Sequence, residues 1–445
     1  MNALSLFTGA GIGDIGLHAA GFEFIGFCEL EGDRLELAKY NFPKADFFVG
    51  DIWASYEKII GMYENTDIKL ITCTAPCQGM SKNGQGTLLK NIREGKRPIL
   101  DPRNRLIIPA LAIMKKLKPE FVIFENVSEM SRTYIEGDNG KIINILDLIK
   151  EELGPQYAGN SYDVEFADYG IPQRRQRLIT VYSRNLMHQK ILTNGFKLIP
   201  EPTHSKEVTL GKQKWVSVAE AIKNFPLLDA SSIEKANDSQ VDYHRVPLLD
   251  SEKYFWVSNT PAGRSAFDNQ CVKCGYHENP NHSTSRNRNG INQSSKITPI
   301  YCAKCNALLP RPTARNESGE LRIMSGFTSA YKRMSADLPC PTLTRNFSYA
   351  CSDSKIHPYQ NRVLSIAEAL KIHSLSEYSY KWIRCTDKGN IPANDGLIRL
   401  VIGESIPPKF MQILGKYLID TSSTNFQIPI KKGIQHQLFQ DAHEK

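Results

Sequence analysis

Leu70-Ile71-Thr72-Cys73-Thr74-Ala75-Pro76-Cys77-Gln78-Gly79 reads as a short apolar strand that breaks at a proline and then presents a thiol. Pro76 has no amide donor, so the strand stops there and Cys77 falls in the loop beyond it. In an open α/β sheet the carboxyl end of a strand is the usual place for chemistry, which makes Cys77 a candidate nucleophile. Cys73, inside the apolar run, reads instead as a small buried hydrophobe.

Working outward, the chain alternates between apolar runs and amphipathic segments, which predicts an α/β doubly wound domain with a mostly parallel sheet. Residues 3–7 predict a first strand, followed by Thr8-Gly9-Ala10-Gly11-Ile12-Gly13-Asp14-Ile15-Gly16. Those glycines allow a tight turn and close approach to a ligand, ahead of a helix starting near Asp14. Residues 24–29 predict a second strand ending in Glu29, with Asp33 capping the helix of Leu35, Leu37, Ala38 and Phe42. Residues 46–49 predict a third strand, and Gly50-Asp51-Ile52 follows it. Three successive strands thus end in a glycine turn and two carboxylates. That suits a nucleoside, with backbone at one end, one acid on the ribose hydroxyls and the other on the base. Taken singly, each acid is equally readable as a helix cap or a solvated charge. Gly11-x-Gly13-x-x-Gly16 also satisfies the dinucleotide fingerprint, a weak signal by itself.

Downstream, residues 79–101 form a long loop carrying Lys82, Lys90, Arg93, Lys96 and Arg97, which face either phosphates or solvent. A helix over 106–117 and an apolar strand over 121–124 lead to Glu125-Asn126-Val127. A helix over 142–153 and a hairpin of 162–167 with 177–182 close the domain, joined through Gly170-Ile171-Pro172-Gln173-Arg174-Arg175-Gln176-Arg177.

From about residue 184 to 339 the alternation disappears and Asn, Ser, Lys, Arg and His become frequent. Cys271-Val272-Lys273-Cys274-Gly275 and Cys302-Ala303-Lys304-Cys305 lie in this stretch. Two Cys-x-x-Cys pairs fit structural zinc on four thiolates, with Cys271, Cys274, Cys302 and Cys305 as ligands and His277 or His282 as less favoured substitutes. Between the pairs, Ser285-Arg286-Asn287-Arg288-Asn289-Gly290 is a polar loop rich in base-reading residue types.

The chain of 445 residues is long enough for two or three domains, and its net charge of +8 favours an anionic partner such as nucleic acid. Ten cysteines in a chain this size do not suggest a disulfide framework, so a reducing, cytoplasmic setting is expected. No apolar run is long enough for a membrane span, and no targeting segment is read at the amino terminus.

With Pro76-Cys77-Gln78, Glu125-Asn126-Val127 and Gln173-Arg174-Arg175-Gln176-Arg177 in this order, the chain resembles a cytosine-5 DNA methyltransferase of the bacterial restriction-modification type. Phe7-Thr8-Gly9-Ala10-Gly11 resembles that family's S-adenosylmethionine motif, and Asp101-Pro102-Arg103-Asn104-Arg105-Leu106 the segment after its catalytic loop. Arg362-Val363-Leu364-Ser365-Ile366-Ala367-Glu368-Ala369-Leu370 and Ile402-Gly403-Glu404-Ser405-Ile406-Pro407-Pro408 resemble its last two motifs. Ala75, Met80, Ala367 and Glu404 depart from the usual residues; Glu404 stands where an asparagine beside the cofactor is expected.

The resemblance implies methyl transfer to carbon 5 of a flipped-out cytosine in duplex DNA. It makes Cys77 the nucleophile, Glu125 the acid, and Arg175 and Arg177 its electropositive partners. It implies S-adenosylmethionine held by Phe7, Gly9, Gly11, Ile12, Glu29, Leu30, Asp51, Ile52, Pro76 and Ser405, with loop 79–97 as a lid. The expected organisation is a catalytic and cofactor-binding domain over 1–185 and a target-recognition domain over 186–339 with its zinc site in 271–305. A small-domain core and hinge over 340–390, a returning segment over 391–421 and an unread tail over 422–445 complete it. A monomer is expected, with a cognate endonuclease acting separately. The competing readings are an RNA cytosine-5 methyltransferase, a nucleotide-linked oxidoreductase and a non-catalytic zinc DNA binder. The long target segment argues against the first; Cys77, Glu125 and the arginines argue against the others.

Overall fold

The structure is a computed structural model that describes residues 1–76, 101–136, 140, 142–286, 292–294, 297–324 and 329–428. Cys77, the basic loop 79–97 and the end of the tail lie outside the described residues.

A seven-stranded sheet organises the first half of the chain. Its strands are β1 (Asn2–Leu6), β2 (Glu23–Glu29), β3 (Asp46–Val49), β4 (Ile68–Cys73), β5 (Phe121–Asn126), β6 (Ala158–Glu165) and β7 (Gln176–Ser183). Their spatial order is β3-β2-β1-β4-β5-β7-β6. β1 to β5 run parallel, whereas β7 runs antiparallel to both β5 and β6. Phe121, Val122, Ile123 and Phe124 in β5 are all buried, as a central strand covered on both faces requires.

Helices cover the two faces. α1 (Ile12–Ala20) and α2 (Gly32–Asn41) share one apolar cluster with the carboxyl-terminal helices, while α3 (Ile52–Tyr63), α4 (Ile107–Leu117) and α5 (Ile145–Leu153) share the cluster on the opposite face. After β7 come α6 (Leu186–Thr193), α7 (Val218–Ile222) and α8 (Ser251–Ser258), then α9 (Ile366–Ile372), α10 (Asp395–Glu404) and α11 (Pro408–Ser422). Between α7 and α9 a separate core gathers Leu228, Val246, Trp256, Phe267, Tyr331, Ile356 and Val363. No described helix is long and apolar enough to cross a membrane.

Several local expectations change. The helix expected over 142–153 begins at Ile145, because Asn144 accepts from the Leu146 amide at 2.9 Å and caps it. Residues Ile142–Asn144 instead pair with Tyr134–Glu136. Asp33 does not cap α2; it sits in the first turn, where its charge complements the helix dipole. Ser405 ends α10, and α11 starts at Pro408, where a missing amide costs nothing. Ser365 caps α9, in a reciprocal box with Glu368. Part of the polar loop expected over 285–290 is strand: Thr284–Arg286 pairs with Asn292–Ser294.

The last two glycines of the run after β1 serve packing. A Cβ on Gly16 would lie 1.9 Å from the Pro408 carbonyl oxygen, and one on Gly13 would lie 2.4 Å from Ile406 Cγ2. These two glycines let α1 and α11 touch, so the dinucleotide fingerprint reports a helix contact and the oxidoreductase reading loses its one motif.

Candidate active site at the carboxyl edge of the sheet

The strand order reverses between β1 and β4, and the crevice at such a switch point is where open sheets bind ligands. On the β1 side the chain turns sharply through Phe7, Gly9 and Gly11, with φ values of 60°, 58° and 72°. Phe7 is the notable one, since a non-glycine residue there is strained. The Gly9 amide donates to Glu29 Oε2 at 2.7 Å and the Glu31 amide to Glu29 Oε1 at 3.1 Å, which fixes the carboxylate at the end of β2. Arg34 Nη1 lies 3.7 Å from Glu29 Oε1. Leu30, beside it, is 62% exposed. Asp51 ends the β3 turn and caps α3 by accepting from the Trp53 amide at 3.0 Å. Ile12 and Ile52 are buried, leaving only their backbones for a ligand. A Cβ on Gly9 or Gly50 would meet nothing within 4 Å, so both turns border open space. A backbone turn, an anchored carboxylate, an exposed apolar side chain and a second acid around that space fit the adenosyl group of S-adenosylmethionine.

On the β4 side Thr74, Ala75 and Pro76 lead to Cys77. Asn126 Nδ2 donates to the Ala75 carbonyl at 3.1 Å, and Thr74 Oγ1 donates to the Phe7 carbonyl at 2.6 Å. The segment leading to Cys77 is therefore tied to β5 and to the turn after β1. Neither Asn126 nor Thr74 was singled out from sequence, although Asn126 lies inside a recognised tripeptide. Cys73 is buried, and burial pushes its thiol up to about 12, as suits an inert core residue.

Glu125 on β5 and Arg177 on β7 meet in an ion pair, Nε to Oε1 at 2.8 Å, with side chains 12% and 17% exposed. The antiparallel register brings them together, since Glu125 stands opposite Ile179. Arg175 points elsewhere. It is 1% exposed, and its guanidinium donates to the carbonyls of Leu343 (2.9 Å), Gly403 (3.2 Å) and Glu404 (3.3 Å). It therefore closes the carboxyl end of α10, where cations and donors are favoured. Alternation along the run explains the grouping: Gln173 and Arg175 are buried, and Arg174 and Gln176 are exposed.

Ser405 Oγ is 2.9 Å from His373 Nε2 and donates to the Ile402 carbonyl at 3.2 Å. Burial, and then the Arg175 charge, hold His373 well below its ordinary value, so this histidine is neutral. Glu404 takes Arg34 at 3.3 Å and Arg345 at 3.5 Å. The carboxylate at this departure from the family pattern is thus engaged by two guanidinium groups.

The four cysteines converge far along the chain. Their sulfurs lie within 4.8 Å of one another, with neighbouring pairs at 3.6, 3.6 and 3.7 Å. A tetrahedral zinc with Zn–S bonds of about 2.3 Å requires sulfurs about 3.8 Å apart. Each pair is followed by a residue in the left-handed region, Gly275 at φ 68° and Asn306 at φ 54°, so the two knuckles have the same turn. Burial opposes a thiolate at Cys302, but the Cys305 and Lys304 amides and the Cys271 and Cys274 sulfurs outweigh it and lower the thiol below its ordinary range. His282 is not in the cluster; it stacks on Phe267 and contacts Thr298 Oγ1 at 2.9 Å.

Residues 1–420 match the C-5 cytosine-specific DNA methylase family. The type II methyltransferase M1.HgaI of Avibacterium volantium is 29% identical over 420 residues, which cover 92% of this chain and 95% of that protein. The type II methyltransferase M.DdeI of Desulfomicrobium norvegicum is 24% identical over 463 residues, covering 98% of this chain and 95% of that protein. In fold, the chain is similar to the Dnmt2 methyltransferase of S. pombe, with a TM-score of 0.50 at 13% identity, covering 95% of this chain and 98% of that one. Taken with the sheet order and the edge site, the match over nearly the whole chain establishes that this protein belongs to the C-5 cytosine-specific DNA methylases, enzymes that use S-adenosylmethionine to methylate carbon 5 of cytosine in DNA.

Proposed function

We propose that the chain methylates one cytosine within a specific duplex sequence, through a covalent adduct of Cys77, with Glu125 as the acid and Arg177 as its partner. The observation that carries these roles is the Glu125–Arg177 pair at 2.8 Å, beside the strand end that leads to Cys77.

Carbon 5 of cytosine is a weak nucleophile. The Cys77 thiolate adds to carbon 6 and makes the ring enamine-like, which concentrates electron density on carbon 5. Glu125 holds ring nitrogen 3 and the exocyclic amine, donating its proton to nitrogen 3 as the thiolate adds. Arg177 orients Glu125 and offers donors to the base's carbonyl oxygen. S-adenosylmethionine supplies the sulfonium-bound methyl group. Loss of the carbon 5 proton then expels Cys77 and restores the aromatic ring. None of these atoms is reachable in a stacked duplex, so the target base is flipped out. Arg175 acts at one remove, holding Leu343 and the end of α10 against the catalytic domain.

The cofactor is assigned to the turn Phe7–Gly11 with Ile12, to Glu29 and Leu30, to Asp51 and Ile52, to Pro76 and to Ser405. Zinc is assigned to Cys271, Cys274, Cys302 and Cys305 as a structural ion supporting the target-reading region. That region spans 186–339, between the catalytic domain of 1–185 and the small-domain core of 340–390, with 391–421 returning to the cofactor side. The type II relatives support a modification enzyme; we further propose that it works as a monomer in bacterial cytoplasm, with its endonuclease a separate protein.

The test is transfer of labelled methyl from S-adenosylmethionine to duplex DNA, with mapping of the modified sites. A single sequence context with label on carbon 5 is expected. Label on tRNA and none on DNA would overturn the substrate. Elemental analysis is expected to find zinc at about one per chain, and its absence would remove the metal assignment.

A further inference from the structure

Asp14 is a buried carboxylate with no part in the chemistry above. It sits in the first turn of α1 and is 6% exposed. Its Oδ2 accepts from Ser5 Oγ at 2.9 Å and Thr8 Oγ1 at 2.7 Å, and its Oδ1 from Thr72 Oγ1 at 3.3 Å. The three hydroxyls come from β1, from the cofactor turn and from β4. Among the described residues no cation pairs with Asp14. The titratable group facing it across the turn is Tyr380, whose hydroxyl donates to the Ala10 carbonyl at 2.7 Å. Burial and then the Asp14 charge oppose ionisation of Tyr380, so it adds no positive charge.

Burial pushes the Asp14 carboxyl up from 3.8 to about 6, against the three hydroxyl bonds. Between those values the folded chain binds more protons than the unfolded chain. Stability therefore falls as pH rises through that window and stays lower above it. An isolated buried charge is costly, and a neutral residue of the same shape would avoid the cost. The carboxylate sits where three donors converge on the strained turn. Phe7 is held at φ 60°, its carbonyl takes Thr74 Oγ1 at 2.6 Å, and the Thr8 amide donates to the Cys28 carbonyl at 3.2 Å.

We propose that Asp14 is a positioning residue: by locking Thr8 and Thr72 together it holds the Phe7–Gly11 turn in the shape that receives the methyl donor and ties that turn to the strand delivering Cys77. This rests on the cofactor placement above.

The decisive substitution is Asp14→Asn, which keeps the shape, removes the charge and replaces one of the two acceptor oxygens by a donor, so that Thr8 and Thr72 can no longer donate to the two side-chain atoms together. Calorimetric titration of the full chain with S-adenosylmethionine at about pH 8 is expected to show affinity reduced about tenfold or more, with Tm equal to or above that of the unsubstituted protein. The decline in Tm as pH rises through about 6 should be weaker in the variant, and DNA affinity unchanged. Thr8→Val removes one lock and leaves the carboxylate; it should also weaken cofactor binding, and it decides the matter if Asp14→Asn does not fold. Affinity unchanged in Asp14→Asn overturns the inference, and so does a loss of affinity that comes with a lower Tm, which would mark a general scaffold role. If the unsubstituted protein itself binds no S-adenosylmethionine, the cofactor placement fails instead.

Discussion

The sheet and the region between α7 and α9 both bury backbone carbonyls, and they satisfy them differently. In the sheet each buried strand meets a neighbour, so the ladder supplies donors residue by residue. The later region has short ladders and long irregular stretches, and buried arginines stand in. Arg333 donates to the carbonyls of Val257 (2.8 Å), Thr260 (2.7 Å), His357 (2.8 Å) and Gln360 (2.6 Å). Arg311, fully buried, donates to Asn269, Pro280 and Pro299 at 2.8 to 2.9 Å, beside the cysteine knuckles. Arg362 pairs twice with Glu368 at 2.7 Å, which outweighs the cost of burying that carboxylate and keeps it below its ordinary range. A planar guanidinium with five donors can join several irregular segments at once. The sheet spreads its backbone satisfaction over many equivalent bonds. The later region concentrates it in single side chains and four sulfurs, so it should be vulnerable to single substitutions there, and the sheet should not.

The sharpest contrast is at Cys77. Cys77→Ser should lower methyl transfer on the order of 10⁴-fold or more, with Tm, cofactor affinity and DNA affinity nearly unchanged. A variant retaining even a tenth of the activity would remove the nucleophile assignment. Glu125→Gln comes next, with a loss of about 10²- to 10⁴-fold in kcat, read from single-turnover methylation. A comparable loss of stability would mean that the pair with Arg177 holds the fold and not the base.

In the other region the loss should fall on structure. Arg333→Leu leaves four carbonyls short of a donor and is expected to cost roughly 3–5 kcal/mol, seen as a lower-temperature unfolding step, while titration with S-adenosylmethionine is unaffected. If cofactor affinity fell in parallel, the two regions would not be energetically separable. The smallest effect expected is from a zinc chelator. Specific DNA binding should weaken about 10- to 100-fold as the knuckles lose their crosslink, with cofactor affinity retained. Unchanged DNA binding in metal-free protein would separate the knuckles from target reading.

The alternation of apolar runs exposed the sheet because a parallel strand buried on both faces is apolar along most of its length. Glu125, Glu29 and Asp51 were legible because each stands at a strand end, and strand ends share one edge. Grouping the arginines was harder. Arg175 and Arg177 are two apart on one face, and sequence spacing makes them equivalent partners of the acid. The end of α10, more than two hundred residues away, claims Arg175, and no local pattern announces that. Gly13 and Gly16 are ambiguous in the same way, because a glycine needed for close helix contact looks like a glycine needed for a phosphate.

What the sequence determined by itself was the chemistry on offer: a thiol after a strand-ending proline, acids at strand ends, and paired cysteines at metal spacing. Those are properties of local backbone and residue type, and they survive any arrangement of the remainder. The tertiary structure alone decided the partnerships. It put Arg177 on Glu125, Arg175 on α10, Thr8 and Thr72 on Asp14, and the two knuckles on one another. The physical reason is that a buried donor or charge takes whichever partner the packing brings within about 3 Å, and distance along the chain carries almost no information about that.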